Sequence, residues 1–248
     1  MPPPRDPRLP PAVVWLPADV VTNVMAPVAR RITARGIRTP REEPAPNFAA
    51  LSLPPAGTPL HFTRMMSELC EDGCQALPEF RHVDMRRVLV TFVAARKNQP
   101  WGLQAKVTPL RFRGGALTAR RRGHAYRIQQ FHVGDLQMRY VLSFCLPRFL
   151  NQTFHEKIAT VFHELYHIAP DFGGDVRRFG PAKVRVHAAS HREYDRQMTA
   201  FADQYLAGAP DPGLSDFLKL NFAQLLARHG SLVGVHVPAP KLLPIAAP

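Results

Sequence analysis

Apolar residues between positions 154 and 168 recur every three or four places, as they do along one face of an α-helix. The stripe comprises Phe154, Ile158, Val161, Phe162, Leu165 and Ile168. Asn151 or Thr153 can cap the start of such a helix, and a proline with two glycines within 170–174 can end it. The pattern therefore predicts a helix that buries one face, so the helix must pack against other elements of a compact domain.

The last two turns of this helix read VFHELYHIAP and carry two histidines four residues apart. Residues at this spacing differ by about 40° around the helix axis and about 6 Å along it. The imidazoles of His163 and His167 can therefore converge on one small cation, with nitrogens at the distance of about 2.0–2.1 Å that zinc requires. Two histidines that merely lie on a helix surface are the alternative interpretation.

Glu164 lies between the two histidines in the sequence, about 100° around the helix from His163. From that position its carboxylate can reach a water on the metal without displacing a ligand. It would accept the proton of that water and later pass it to the leaving amine. The HExxH pattern thus predicts two metal ligands and a general base.

A catalytic zinc also needs a third protein ligand and an open position. The metzincin spacing would place a glycine at 170 and a histidine at 173, and the sequence has Pro170 and Gly173. The downstream candidates are Asp171, Asp175, His187, His191, Glu193 and Asp195. We favour His187, which precedes a predicted helix and lies on a loop that can fold over the metal. His191, in the first turn of that helix, is the alternative.

The stretches FLNQTFHEKIATVFHELYHIAPDFGGDVRRFG and VHAASHREYD resemble the SprT-like and phage-type metallopeptidases of the zincin group. By this resemblance His163 and His167 match the two helix ligands, Glu164 the catalytic glutamate and His187 the third histidine. It implies an α+β, zincin-like fold and zinc-dependent hydrolysis of peptide bonds in a protein or peptide substrate. The C-terminal four-cysteine zinc ribbon of many SprT-type proteins has no counterpart here, and the two tails match nothing in the family.

Three runs typical of β-strands precede the motif helix, at 86–95, 102–112 and 138–146. They predict a small, mostly antiparallel sheet packed with helices. Pro109 places the second run at an edge or an interruption of the sheet. The third run leads directly into the motif helix, so we expect it beside the substrate cleft.

Proline content divides the chain, because 14 of its 26 prolines fall in the first 60 residues. We predict a partly disordered N-terminal extension at 1–57, a zincin-like domain at 58–230 and an irregular Pro-rich tail at 231–248. Within the extension, apolar spacing between residues 17 and 36 predicts one helix. In the domain, Thr58 and Pro59 predict the start of another, with its apolar stripe running from Phe62 to Leu77.

The formal net charge of +13, with a dense arginine run at ARRRGH (119–124), favours a polyanionic partner. The charge therefore makes DNA an expected partner. The resemblance to SprT-like proteins, which include proteases acting on DNA-bound proteins, implies DNA-bound proteins as further partners besides a peptide substrate. The alternative function is a basic nucleic-acid-associated protein whose metal site is structural or vestigial. Such a protein would be indifferent to the loss of Glu164.

No apolar run approaches the length of about 18 residues that a membrane span needs, so we expect none. The N-terminus lacks the apolar core of a secretory signal, which makes the cytoplasm the expected compartment. Cys70, Cys74 and Cys145 do not form a disulfide framework. We predict them to be small buried hydrophobes.

Overall fold

The computed structural model describes residues 13–16, 29–32, 47–94, 102–179 and 191–245. Strands run in chain order as β1 (Val13–Leu16), β2 (Ala29–Ile32), β3 (Leu60–His61), β4 (Val88–Ala94), β5 (Ala105–Pro109), β6 (Thr118–Arg121), β7 (His124–Ile128), β8 (Gln130–Val133), β9 (Leu136–Gln137), β10 (Tyr140–Leu146), β11 (Leu232–Val235) and β12 (Leu242–Pro244). The α-helices of the same residues are α1 (Phe62–Ala76), α2 (Phe154–Tyr166), α3 (His191–Ala207), α4 (Pro212–Ser215) and α5 (Phe222–His229). The fold is α+β, as predicted.

The central sheet has the order β4-β10-β5. β10 lies in the middle, where it pairs in parallel with β4 and antiparallel with β5. Both β4 and β10 are almost continuously apolar and buried, which is the pattern of strands covered on both faces. The sheet is therefore mixed and not mostly antiparallel. The run at 138–146 is its centre, and the run containing Pro109 is its edge, as the proline indicated.

Helix α1 lies across one face of this sheet. The ring of Phe62 meets those of Phe92 on β4 and Phe144 on β10 edge-on, each at a centroid distance of 5.9 Å. Helix α2 crosses α1 where Gly73 leaves room for Phe162, whose ring atoms would be 3.2 Å from a Cβ at that glycine. The apolar stripe of α2 thus packs inward. The opposite side of α2 faces the edge strand β5 and helix α3.

Helix α2 begins where the sequence predicted. Thr153 is its N-cap, and the side chains of Thr153 and Glu156 each bond the other's backbone N–H in a capping box. The last helical residue is Tyr166, and His167 is the C-cap with φ −69° and ψ −16°. Because these angles are still helical, His163 and His167 keep the side-by-side relation of residues four apart.

Both ends of the chain contribute strands that local patterns did not predict. Residues 29–32 of the predicted N-terminal helix form β2, which pairs antiparallel with β11; the rest of that prediction lies outside the described residues. β11 and β12 fall within the Pro-rich tail, and β12 pairs with β7. Helix α1 starts at Phe62 and not at Thr58, because Leu60 and His61 pair with β11. In each case a neighbouring strand supplies hydrogen bonds that the local sequence cannot anticipate.

The cysteine prediction is confirmed, since all three thiols are free and buried. No helix among the described residues is long and apolar enough to cross a bilayer.

Lys157 is a buried cation on α2 that the apolar stripe did not reveal. It is 1% exposed, and its Nζ donates to the carbonyls of Leu218 and Leu220, each at 2.8 Å. We expect Lys157→Met to lower the free energy of unfolding by about 2–4 kcal/mol, because two buried carbonyls lose their donor. Urea unfolding measures this loss. Lys241→Met, at an exposed position, should change stability by less than about 0.5 kcal/mol; equal effects of the two substitutions would contradict the assignment.

Candidate metal centre

The two motif histidines converge at the C-terminal end of α2. Their Nε2 atoms are 3.1 Å apart, with ring centroids at 4.8 Å and ring planes inclined by 76°. Two nitrogens that bind one tetrahedral zinc are separated by about 3.3 Å. The pair therefore fits a shared cation. The same separation also allows one imidazole to donate a hydrogen bond to the other, depending on the tautomer.

Tyr194 of α3 holds both imidazoles in place. Its ring stacks on His167 at 5.8 Å with an interplanar angle of 22°, and it meets His163 edge-on at 5.0 Å. The side chain is 1% exposed, and burial raises the pKa of its hydroxyl well above the usual range. Tyr194 therefore restricts the rotation of the two rings while its phenol stays neutral.

Glu164 points from the same turn of α2 toward the edge strand. Its Oε2 accepts a hydrogen bond of 2.7 Å from the backbone N–H of Val107 on β5. Burial raises the pKa of Glu164 to about 7, although the Val107 hydrogen bond and the charge of Lys106 each lower it. A carboxyl group with a pKa near neutrality can both accept and release a proton, as a general base must.

A cleft of about 760 Å³ lies beside these residues. Residues 102–105, leading into β5, form one wall of the cleft. His163 and Glu164 of α2 form another, and Asp195 and Met198 of α3 lie across from them. His163, the buried carboxylate of Glu164 and the start of the edge strand therefore border one cavity, in the arrangement expected of a binding site, and His167 is buried next to His163.

Arg177 fixes the end of the motif helix. Its backbone N–H donates to the carbonyl of His167, and its Nε donates to the carbonyl of Tyr166, both at 2.7 Å. The guanidinium also lies 4.1 Å from the centre of the Tyr166 ring. A cation at a helix C-terminus is favourable because it neutralises the unpaired carbonyls. Tyr166 is thus a packing residue, and Arg177 is a support that the sequence patterns missed.

The third ligand predicted from the sequence, His187, lies outside the described residues. Its alternative, His191, is the first residue of α3, and its side chain is likewise outside the description. In the part of the chain that the structure describes, no three His, Cys, Asp or Glu side chains form a group that could hold a metal ion. His163, Glu164 and His167 are therefore the predicted site residues that the structure brings together.

The acidic candidates are engaged elsewhere, with one exception. Asp175 is 6% exposed and pairs with Arg178 at 3.0 Å. Glu193 is exposed and pairs with Arg196 at 2.7 Å, while Asp171 accepts from a backbone N–H two residues along. Asp195 alone of these four lines the cleft.

Comparison with known proteins places the chain in a family. The family model described as "Putative phage metallopeptidase" matches residues 63–196, just over half of the chain, so the chain belongs to this family. The matched region contains α1 from its second residue onward, the central sheet and α2, and it includes both motif histidines and His187. No curated protein and no solved structure matches the chain. The predicted relation to a metallopeptidase family is confirmed at this level.

Proposed function

We propose that the chain is a zinc-dependent metallopeptidase that hydrolyses peptide bonds in protein or peptide substrates. His163, His167 and His187 are the proposed ligands, and Glu164 is the proposed general base. The observation that carries the proposal is the convergence of two Nε2 atoms at 3.1 Å beside a buried carboxylate on the wall of a cleft. Family membership and the resemblance to SprT-like zincins support the same reaction class.

Zinc bound at the imidazole pair would polarise a substrate carbonyl and acidify a water molecule. The chain supplies the proton transfers. The N–H of Val107 holds one oxygen of Glu164, which leaves the other oxygen to take the proton of the attacking water. Glu164 then returns that proton to the leaving amine. Tyr194 keeps both imidazoles oriented during these steps.

The edge of β5 is the proposed docking line for the substrate chain. Gln104 and Lys106 face β10, because Gln104 accepts from the N–H of Cys145 at 2.8 Å and Lys106 is opposite Ser143. By strand alternation the backbone groups of Ala105 and Val107 point to the open side. Because the N–H of Val107 already donates to Glu164, an extended peptide can add as a further strand to the backbone groups of Ala105 and to the carbonyl of Val107, which places the peptide backbone beside Glu164.

Hydrolysis of denatured proteins by the full chain tests the proposal. We expect cleavage by the zinc-loaded chain, loss of cleavage on adding 1,10-phenanthroline, and recovery when zinc is restored. Fragments are followed by gel electrophoresis and mass spectrometry. Failure of the zinc-loaded chain to cut any of a broad set of denatured proteins would count against peptidase activity.

The identity of the third ligand gives a separate prediction. We expect His187→Ala to lower the zinc content from about one ion per chain to a small fraction, because a catalytic zinc requires three protein ligands. His191→Ala should keep its zinc. Elemental mass spectrometry on both purified variants measures the difference, and the reverse result would assign the ligand to His191.

A further inference from the structure

A second cavity, of about 560 Å³, lies apart from the histidine pair, between the β6–β7 hairpin and residues 175–178. Five arginines line it, and we refer to it as the arginine pocket. They are Arg111, Arg113, Arg120, Arg121 and Arg178. A concave surface with this many guanidinium groups concentrates positive potential. Nothing in the proposed peptidase reaction uses it.

The one carboxylate in the lining does not neutralise these charges. Asp175 pairs with Arg178, with Nη2 and Oδ1 3.0 Å apart. Its two oxygens also accept from the backbone N–H groups of Gly114 and Val176, at 2.9 and 2.7 Å. Asp175 is thus occupied with one arginine and the local loop. It is the single acidic residue in a lining that contains five arginines.

Arg111 lies beneath the pocket and is 6% exposed. Its Nη2 donates to Gln137, and neither its Nε nor its Nη1 has an acceptor among the described residues. Burial and the nearby Arg139 lower the pKa of Arg111. A buried cation without a paired anion is costly, and an anion held in the pocket would offset that cost.

The sequence around the pocket also carries charge that is almost entirely positive. Residues 102–142 contain eight lysines and arginines and a single acidic residue, Asp135. Arg120, Arg121 and Arg122 are all exposed on the β6–β7 hairpin, with Arg127 on the same sheet. The positive charge therefore extends from the pocket over the hairpin. A ligand with many regularly placed negative charges would contact both.

We propose that the arginine pocket and the β6–β7 hairpin bind the phosphate backbone of double-stranded nucleic acid, without regard to its sequence. The planar fork of a guanidinium matches the geometry of a phosphate, which favours arginine at such sites. Single-strand binding relies on exposed aromatic side chains. The pocket lining contains one aromatic ring, that of the half-buried Phe112, and the exposed large apolar side chains of the described residues are Leu103, Leu117, Leu242 and Ile245. The surface therefore lacks a row of exposed rings on which successive bases could stack. A flat anionic bilayer could touch Leu117 and Leu242 but would not follow the concave lining.

Binding of a 20-base-pair DNA duplex to the full chain, measured by fluorescence anisotropy at several salt concentrations, tests the proposal. The variant Arg113→Gln/Arg120→Gln/Arg121→Gln removes three charges from the surface of the pocket. We expect it to weaken binding at least tenfold at low salt. The slope of log K against log salt should fall in magnitude by about 2 to 3, because each lost phosphate contact removes about 0.9.

The matched control is Arg64→Gln/Arg81→Gln/Arg86→Gln, which removes three exposed positive charges from α1 and the turns that follow it. This control should bind nearly as tightly as the unchanged chain, and Glu164→Gln should also bind normally. Equal weakening by both triple variants, or no duplex binding at all, would overturn the proposal. So would equally tight binding of vesicles containing phosphatidylserine, or of a single strand. If the pocket variant does not fold, the three single substitutions are measured, each with an expected slope change of about 1.

Discussion

Glu164→Gln is expected to leave the zinc in place and to lower kcat/KM for peptide hydrolysis by about a thousandfold or more, since general base catalysis contributes about 10²- to 10⁴-fold. The amide oxygen of glutamine can still accept the hydrogen bond from Val107, which Glu164 accepts at 2.7 Å. The fold and the imidazole pair should therefore be preserved. The amide cannot take a proton from water. Initial rates on a quenched peptide, measured together with zinc per chain, report both properties.

The matched control for this substitution is Glu193→Gln, at an exposed carboxylate that pairs with Arg196 on α3. It removes the same charge and should keep full activity. Turnover by Glu164→Gln at the unchanged rate would remove Glu164 from the role of base. Loss of zinc from that variant would instead mean that the carboxylate supports the metal centre.

His163→Ala is expected to lower the bound zinc from about one ion per chain to less than about a tenth, because the remaining side chains cannot complete a stable zinc site. The reason is geometric: its Nε2 is 3.1 Å from that of His167, and without it one side of the cation is open. Proteins are purified without added metal and analysed by elemental mass spectrometry. Activity should disappear together with the zinc.

His155→Ala is the control on the same helix. His155 pairs with Asp203 at 2.7 Å and does not line the cleft, so its loss should leave the zinc content unchanged. Thermal unfolding provides a second measurement, because a ligand that binds the folded state alone raises its stability. A chelator should lower the melting temperature of the unchanged chain and leave that of His163→Ala unaffected. A fully loaded His163→Ala variant would show that the quoted helix is not the metal site.

Much of the motif helix and of the candidate site could be predicted because the signals are local. Thr153 and Glu156 are three residues apart and form the capping box without help from the rest of the chain. The apolar stripe fixed which side of α2 is buried, and helical spacing alone brought His163 and His167 together. Pro109 likewise indicated an edge strand, since proline cannot donate to a second neighbour.

Local sequence patterns could not predict contacts between residues that are far apart in the chain. The central position of β10 depends on β4 lying beside it, and β4 ends about 50 residues earlier in the chain. The buried state of Lys157 depends on two carbonyls more than 60 residues away. Apolar spacing in the N-terminal extension predicted a helix, but residues 29–32 form a strand, because they pair with β11.

The sequence by itself determined the chemistry that this chain can carry: two imidazoles and a carboxylate at fixed positions on one helix, and a strong excess of positive charge. The tertiary structure alone decided what surrounds them. It placed the N–H of Val107 against Glu164, the ring of Tyr194 against both histidines, and the arginines around a separate pocket. The physical reason is that spacing along a helix follows from its regular geometry, whereas the partner of a buried group is set by packing among segments far apart in the chain.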